Sequence, residues 1–145
     1  MIIFSSAFSH NEKIPAEYTC DGVNISPGLK ISYPPENAKS LALIVDDPDA
    51  PMGTWVHWLV WNIEPTINEI PGGGLIGGVE GITSFGSAGY GGPCPPSGTH
   101  RYFFKLYALD IFLELDKSAG KQELEQAMEG HILDRAELIG LYSRL

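Results

Sequence analysis

Leu41-Ala42-Leu43-Ile44-Val45 is an unbroken apolar run of five residues, closed at once by Asp46-Asp47-Pro48-Asp49-Ala50-Pro51. A run this short, ending in β-branched residues and cut off by acids and prolines, reads as a strand buried on both faces rather than a helix. Working outward, Trp55 to Asn62 is rich in aromatic and β-branched residues, and Arg101 to Leu109 repeats that character. These three stretches are the expected central strands. Gly28 to Tyr33 and Ile2 to Phe8 are weaker strand candidates. Helical spacing is missing until Lys121–Met128, where Leu124, Ala127 and Met128 fall on one face, with Ser118 as the expected N-cap and Gly130 at the far end. Ile132 to Leu138 reads as a second short turn or helix and Ile139 to Leu145 as a last strand. The chain is therefore mainly β, with one or two short C-terminal helices.

The stretch from Pro71 to Gly98 holds eleven of the seventeen glycines and four prolines, which predicts irregular structure. A flexible interdomain linker is one reading. A long ordered loop over the β core, anchored by Phe85 and Tyr90, is the better one, and such loops are disproportionately functional. At 145 residues the chain is expected to be a single domain, 1–145. Its 19 % charged and 43 % apolar content is that of a globular fold. Eighteen acidic against nine basic residues give a formal charge of −9. That charge repels phosphate backbones and anionic headgroups, so no nucleic-acid partner and no stable membrane anchoring are expected. An anion could be held only in a pocket whose local field differs from the average. No signal peptide or long apolar span is visible, so the expected location is cytoplasmic. Cys20 and Cys94 are too few for a disulfide scaffold and too isolated for a zinc motif, and reduced thiols are expected.

Three polar clusters abut predicted strands: Asp46 to Pro51, His57 within Trp55-Val56-His57-Trp58, and His100-Arg101-Tyr102 behind Pro93-Cys94-Pro95-Pro96. Strand alternation groups Trp55, His57 and Leu59 on one face, and turns His100 and Tyr102 together with Arg101 opposite. Two imidazoles flanking a phenol can hold a phosphate or carboxylate. The three prolines carry no N–H, so Cys94 offers the one backbone donor in its immediate run. An aspartate beside a histidine can fix its tautomer. Each residue also has a structural reading. His57 alone fits a satisfied strand histidine, the aspartate–proline run fits a turn, and Arg101 fits an ion pair with an aspartate. His10 and His131 read as structural or surface residues, and Trp55, Trp58 and Trp61 as core. No metal or cofactor is expected: no P-loop or dinucleotide motif is present, and Cys94 lacks the setting of an activated thiol.

Asp47-Pro48-Asp49-Ala50-Pro51 with Trp55-Val56-His57-Trp58, and Gly92-Pro93-Cys94-Pro95-Pro96-Ser97-Gly98-Thr99-His100-Arg101-Tyr102, resemble the two signature regions of the phosphatidylethanolamine-binding and Raf kinase inhibitor-like family. Asp21 to Pro27 and Ala127 to Leu133 resemble its compact bacterial and archaeal branch. The resemblance implies a β-sandwich-like fold of two packed sheets with a small anion pocket at one end. It carries over Asp47, His57, Cys94 through its N–H, His100 and Tyr102 as ligand-binding residues. Only His57 stands in the motif directly after Trp55, and the chain lacks the C-terminal helix that borders the pocket in mammalian members, so the resemblance is expected to carry over the anion pocket before the signalling role of the longer forms.

The combined expectation is a non-enzymatic binding protein for phosphorylated or carboxylated molecules. Asp47 orients His57 in this reading. Asp49 pairs with Arg101, and Pro48, Pro51, Pro95 and Pro96 support the walls. The alternatives are a protease or kinase inhibitor acting through the pocket rim and, more weakly, a hydrolase using Cys94 or a histidine-bound metal. The bonds before Pro48 and Pro51 are candidates for cis geometry, and Leu75 and Ile76 for a homodimer surface.

Overall fold

The computed structural model describes residues 1–74 and 77–144. Its strands are β1 (Ile2–Phe4), β2 (Glu12–Lys13), β3 (Leu29–Ser32), β4 (Ser40–Asp47), β5 (Trp55–Ile63), β6 (Glu69–Ile70), β7 (Val79–Glu80), β8 (His100–Leu109) and β9 (Ile132–Tyr142). A 3-10 turn spans Ala16–Tyr18, and the single α-helix, α1, spans Lys121–Met128. The strands form a three-stranded sheet, β1-β3-β6, and a six-stranded sheet, β2-β9-β8-β4-β5-β7. The large sheet lies between the small sheet and α1.

Alternation along the central strands fills both sides of the large sheet. Leu41, Leu43 and Val45 of β4 join Phe104, Leu106 and Ala108 of β8 and Ile3, Leu29 and Ile31 of the small sheet in one core. Ala42 and Ile44 face the other way, packing with Leu59, Trp61 and the Leu124 and Met128 of α1. Leu41–Val45 is thus buried on both faces, as its continuous apolar character requires.

Several local expectations are corrected. Residues 132–138 are strand, not helix: Leu, Glu, Arg and Ala there favour helix weakly, and pairing with β8 along nearly the whole of both strands overrides that preference. The helix cap is Gly120 rather than Ser118, whose N–H is taken by Asp116 in the preceding turn. Pro71 to Gly98 is not wholly irregular, since β7 pairs with β5 and Ile82 bridges Ala88. Among the described residues no peptide bond is cis. The turn after β4 is made instead by Asp47 Oδ1 accepting the Asp49 N–H at 2.8 Å and by Gly53 at φ +109°. Leu75 and Ile76, and with them the proposed dimer surface, lie outside the described residues.

Candidate functional site

Odd residues of β4 and even residues of β8 face the core between the sheets, so Asp47, His100 and Tyr102 continue that face to its end, where apolar packing stops. Their rims close around a cavity of about 500 Å³ lined also by His57, Trp55, Ser84, Phe85, Cys94, Pro95, Pro96 and the Pro51–Thr54 turn.

His57 reaches this face through a bulge. Val45 pairs with Trp58 and Asp46 with Val56, leaving His57 as an extra residue opposite that step. Simple alternation would group His57 with Leu59; instead Trp58 enters the core between the sheets and Leu59 the core under α1. Bulges characteristically re-aim a side chain in this way beside functional sites. The His57 ring meets Tyr102 edge-on at 5.2 Å between centroids and Phe85 at 5.5 Å. Its backbone carbonyl accepts the Gly91 N–H, and its Nδ1–H donates to the Gly91 carbonyl at 2.6 Å. This double clamp leaves Nε2 for the pocket. Burial pushes the His57 imidazole below its ordinary pKa, with the Gly91 carbonyl opposing, so the buried ring favours its neutral form.

Asp47 does not orient His57. It accepts from His100 Nδ1 at 2.6 Å, both side chains being buried. β4 lies between β5 and β8, and of the two histidines on those strands Asp47 takes His100, while the Gly91 carbonyl occupies His57 Nδ1. The carboxylate fixes the His100 ring with Nε2 free.

Tyr102 is 1 % exposed, and its hydroxyl finds no hydrogen-bond partner among the described residues. Burial, then the charges of Asp47 and Asp49, push its phenol up, while the Cys94 backbone N–H pulls the other way without reaching hydrogen-bond geometry. The hydroxyl and that N–H therefore address the same small region. The His100 ring stacks near Tyr102 at 6.4 Å.

Arg101 points away from the pocket, as alternation requires, and grips Asp49 with Nε and Nη2, each at 2.9 Å. Hydrogen bonds from Arg101 hold the Asp49 carboxyl down at about 2. Pro95 is buried in the wall, whereas Pro48 is exposed on the turn. His10 accepts the Ile139 N–H and His131 meets Asp110, both away from the cavity. Trp58 and Trp61 are core, but Trp55 is 39 % exposed at the mouth, packed edge-on against Phe85. With Met52 at 96 % and Phe85 at 48 % it forms an apolar rim. Ser84, which receives the Val56 N–H, and the Gly91 clamp are site features that no local pattern in the sequence marks.

The expectation of reduced thiols is also corrected. Cys20 and Cys94 form a disulfide between positions 74 apart in sequence. The turn after Ala16–Tyr18 lies against the pocket wall, where the Cys20 N–H donates to the Pro93 carbonyl. While that bond stands, Cys94 has no thiol to act as a nucleophile. Among the described residues no three His, Cys, Asp or Glu side chains are grouped to hold a metal ion.

Fold and site together define a two-sheet β protein with an end-on pocket built from two imidazoles, a phenol and a carboxylate. The sequence profile of the phosphatidylethanolamine-binding protein family matches residues 4–143, and the chain belongs to that family. A UPF0098 protein of Pyrococcus horikoshii is 53 % identical over 150 residues, covering 97 % of this chain and 75 % of its own. One from Methanothermobacter thermautotrophicus is 51 % identical, covering 99 % of both. The crystal structure of a phosphatidylethanolamine-binding protein homologue, CT736 of Chlamydia trachomatis, superposes with a TM-score of 0.97 at 44 % identity, covering 99 % of this chain and 97 % of the other. YbcL of Escherichia coli, described as a member of the mammalian family, gives 0.91 at 32 % identity over 99 % and 98 % of the two chains. No helix among the described residues is long and apolar enough to cross a membrane.

Proposed function

We propose that this protein binds small anions bearing a phosphoryl or carboxyl group, without catalytic turnover. The observation that carries the reading is the Tyr102 hydroxyl: a buried, unpartnered donor between two histidine rings at the floor of an open cavity. A hydrogen bond from such a hydroxyl to a charged ligand oxygen is worth roughly 1.5–3 kcal/mol.

The remaining donors fit the same acceptor. The Cys94 N–H faces the hydroxyl's side of the pocket. His100 Nε2 is the ring nitrogen left free by Asp47, and His57 Nε2 the one left free by Gly91. A bound anion favours the protonated form of His57 against its burial, and the ring's Nε2–H then donates to it. The outer surface, at −9 overall, repels free anions. Selection therefore rests on fit to this donor set. We place the protein in the cytoplasm, where soluble phosphorylated and carboxylated metabolites are its ligands.

Titration calorimetry with phosphate, phosphoethanolamine and acetate tests this. At least one ligand binds the native protein and none binds the His57→Ala/His100→Ala double variant; no heat from any of the three with the native protein overturns the reading.

The apolar rim of Met52, Trp55 and Phe85 favours a second reading, in which a protease or kinase docks over the mouth and inserts an anionic side chain. Retention of a protein on immobilised native protein, and its loss on the double variant, supports that role; equal retention on both removes it.

A further inference from the structure

The Cys20–Cys94 bond joins two segments of very different internal support. Cys20 sits on a well-tied turn: Thr19 is fully buried, its Oγ1 donates to the Ala16 carbonyl and accepts the Asp21 N–H, and its carbonyl accepts the Gly22 N–H. Cys94 sits on a strap. Gly92 is fixed by donating to Asn24 Oδ1, and His100 begins β8, but between them Pro93, Pro95 and Pro96 have no N–H. Among the described residues the only backbone hydrogen bond to Pro93–Thr99 comes from Cys20 to the Pro93 carbonyl. The bridge is thus the covalent hold on a wall that contributes Cys94, Pro95 and Pro96 to the cavity. Cys94 is exposed and Cys20 half-buried, so a reductant can approach.

We propose that the Cys20–Cys94 disulfide is a redox latch on the pocket wall, opened by a dithiol reductant and closed by its oxidised form. One thiolate of the dithiol attacks a bridge sulfur, forming a mixed disulfide and releasing the other cysteine as a thiolate. The second thiol of the reductant then displaces the first cysteine. Two electrons and two protons pass to Cys20 and Cys94, and the reductant leaves as its own disulfide. Opening the latch frees the strap and disperses the Cys94 N–H from the Tyr102 hydroxyl, while His100 and Tyr102 stay in β8, held by β4 and β9. The grip on an anion weakens although both rings remain in place. This consequence for binding rests on the anion reading above; the release of the wall does not.

The test compares the full chain oxidised, reduced by dithiothreitol, and as the Cys20→Ser variant, which keeps Cys94 in the wall. Hydrogen exchange is followed at the amides of residue 20, which donates to the Pro93 carbonyl, and of Gly92, which donates to Asn24 Oδ1, and inorganic phosphate is titrated in parallel. Reduction and Cys20→Ser are both expected to speed exchange at these two amides, leave β8 protected, and weaken phosphate roughly fivefold or more, the lower end of typical coupling between sites. Unchanged exchange overturns the latch. Faster exchange with unchanged phosphate affinity overturns its control of the pocket. If phosphate binds neither form, the anion reading fails and the exchange measurement alone decides the latch.

Discussion

Tyr102→Phe separates a binding role from a structural one because only a structural hydroxyl contributes much to the stability of the free protein. The hydroxyl makes no hydrogen bond among the described residues, so deleting it breaks none within the fold. The lost oxygen forfeits its dispersion contacts, of order 0.5 kcal/mol. The net expectation is a loss of no more than about 0.5 kcal/mol, equivalent to about 2 °C or less in Tm for a chain of this size. Binding changes far more: a hydrogen bond to a charged acceptor is worth roughly 2 kcal/mol, so phosphate affinity falls about 30-fold. Thermal and urea unfolding under non-reducing conditions, paired with phosphate titration, measure both quantities. A variant that loses more stability than this, with unchanged phosphate affinity, refutes the reasoning, since the hydroxyl would then be serving the fold.

Three further perturbations follow. Gly92→Ala would put a Cβ 2.3 Å from both the Tyr18 carbonyl and Asn24 Oδ1, and 2.9 Å from Thr19 Cα, so a loss of roughly 3 kcal/mol is expected in urea unfolding. Because the folded His57 value lies below its ordinary one, its contribution to stability is present above pH about 6.5 and is lost as pH falls through the folded value. A urea series from pH 7.5 to 5 is expected to show this slope, flattened in His57→Gln, while sulfate, whose charge is constant over that range, stabilises more strongly as pH falls. The Asp49 carboxyl is held down at about 2, so its ion pair contributes above the unfolded value near 3.9 and is lost as pH falls through about 2. Arg101 is largely exposed, so Asp49→Asn is expected to cost less than about 1 kcal/mol at pH 7 and to leave phosphate binding unchanged.

The strands that build the site were legible wherever burial alone dictates sequence. Leu41–Val45 reads as a doubly buried strand because both of its faces meet apolar layers, and alternation on β8 separates His100 and Tyr102 from Arg101 without knowledge of any partner. What escaped depends on contacts remote in sequence. The bulge at His57 is visible only in its register against Val45 and Asp46. Asp47 pairs with His100, 53 residues away, and His57 with Gly91, 34 residues beyond it. β9 was obscured because Ala136, Glu137 and Leu138 carry helix-forming side chains in a segment whose strand state comes from β8. The disulfide joins residues 74 apart, and composition argues only about their number. Residue type alone assigns Trp55 to the core, whereas its place at the start of β5 puts it on the cavity rim.

The central claim, that His57 and His100 act on one anion, is tested most directly by following both imidazole rings by NMR during titration with phosphate. The account predicts that the two sets of ring resonances shift together along one saturating curve with a common dissociation constant. Saturation of one ring with the other unmoved, or no shift in either, contradicts it.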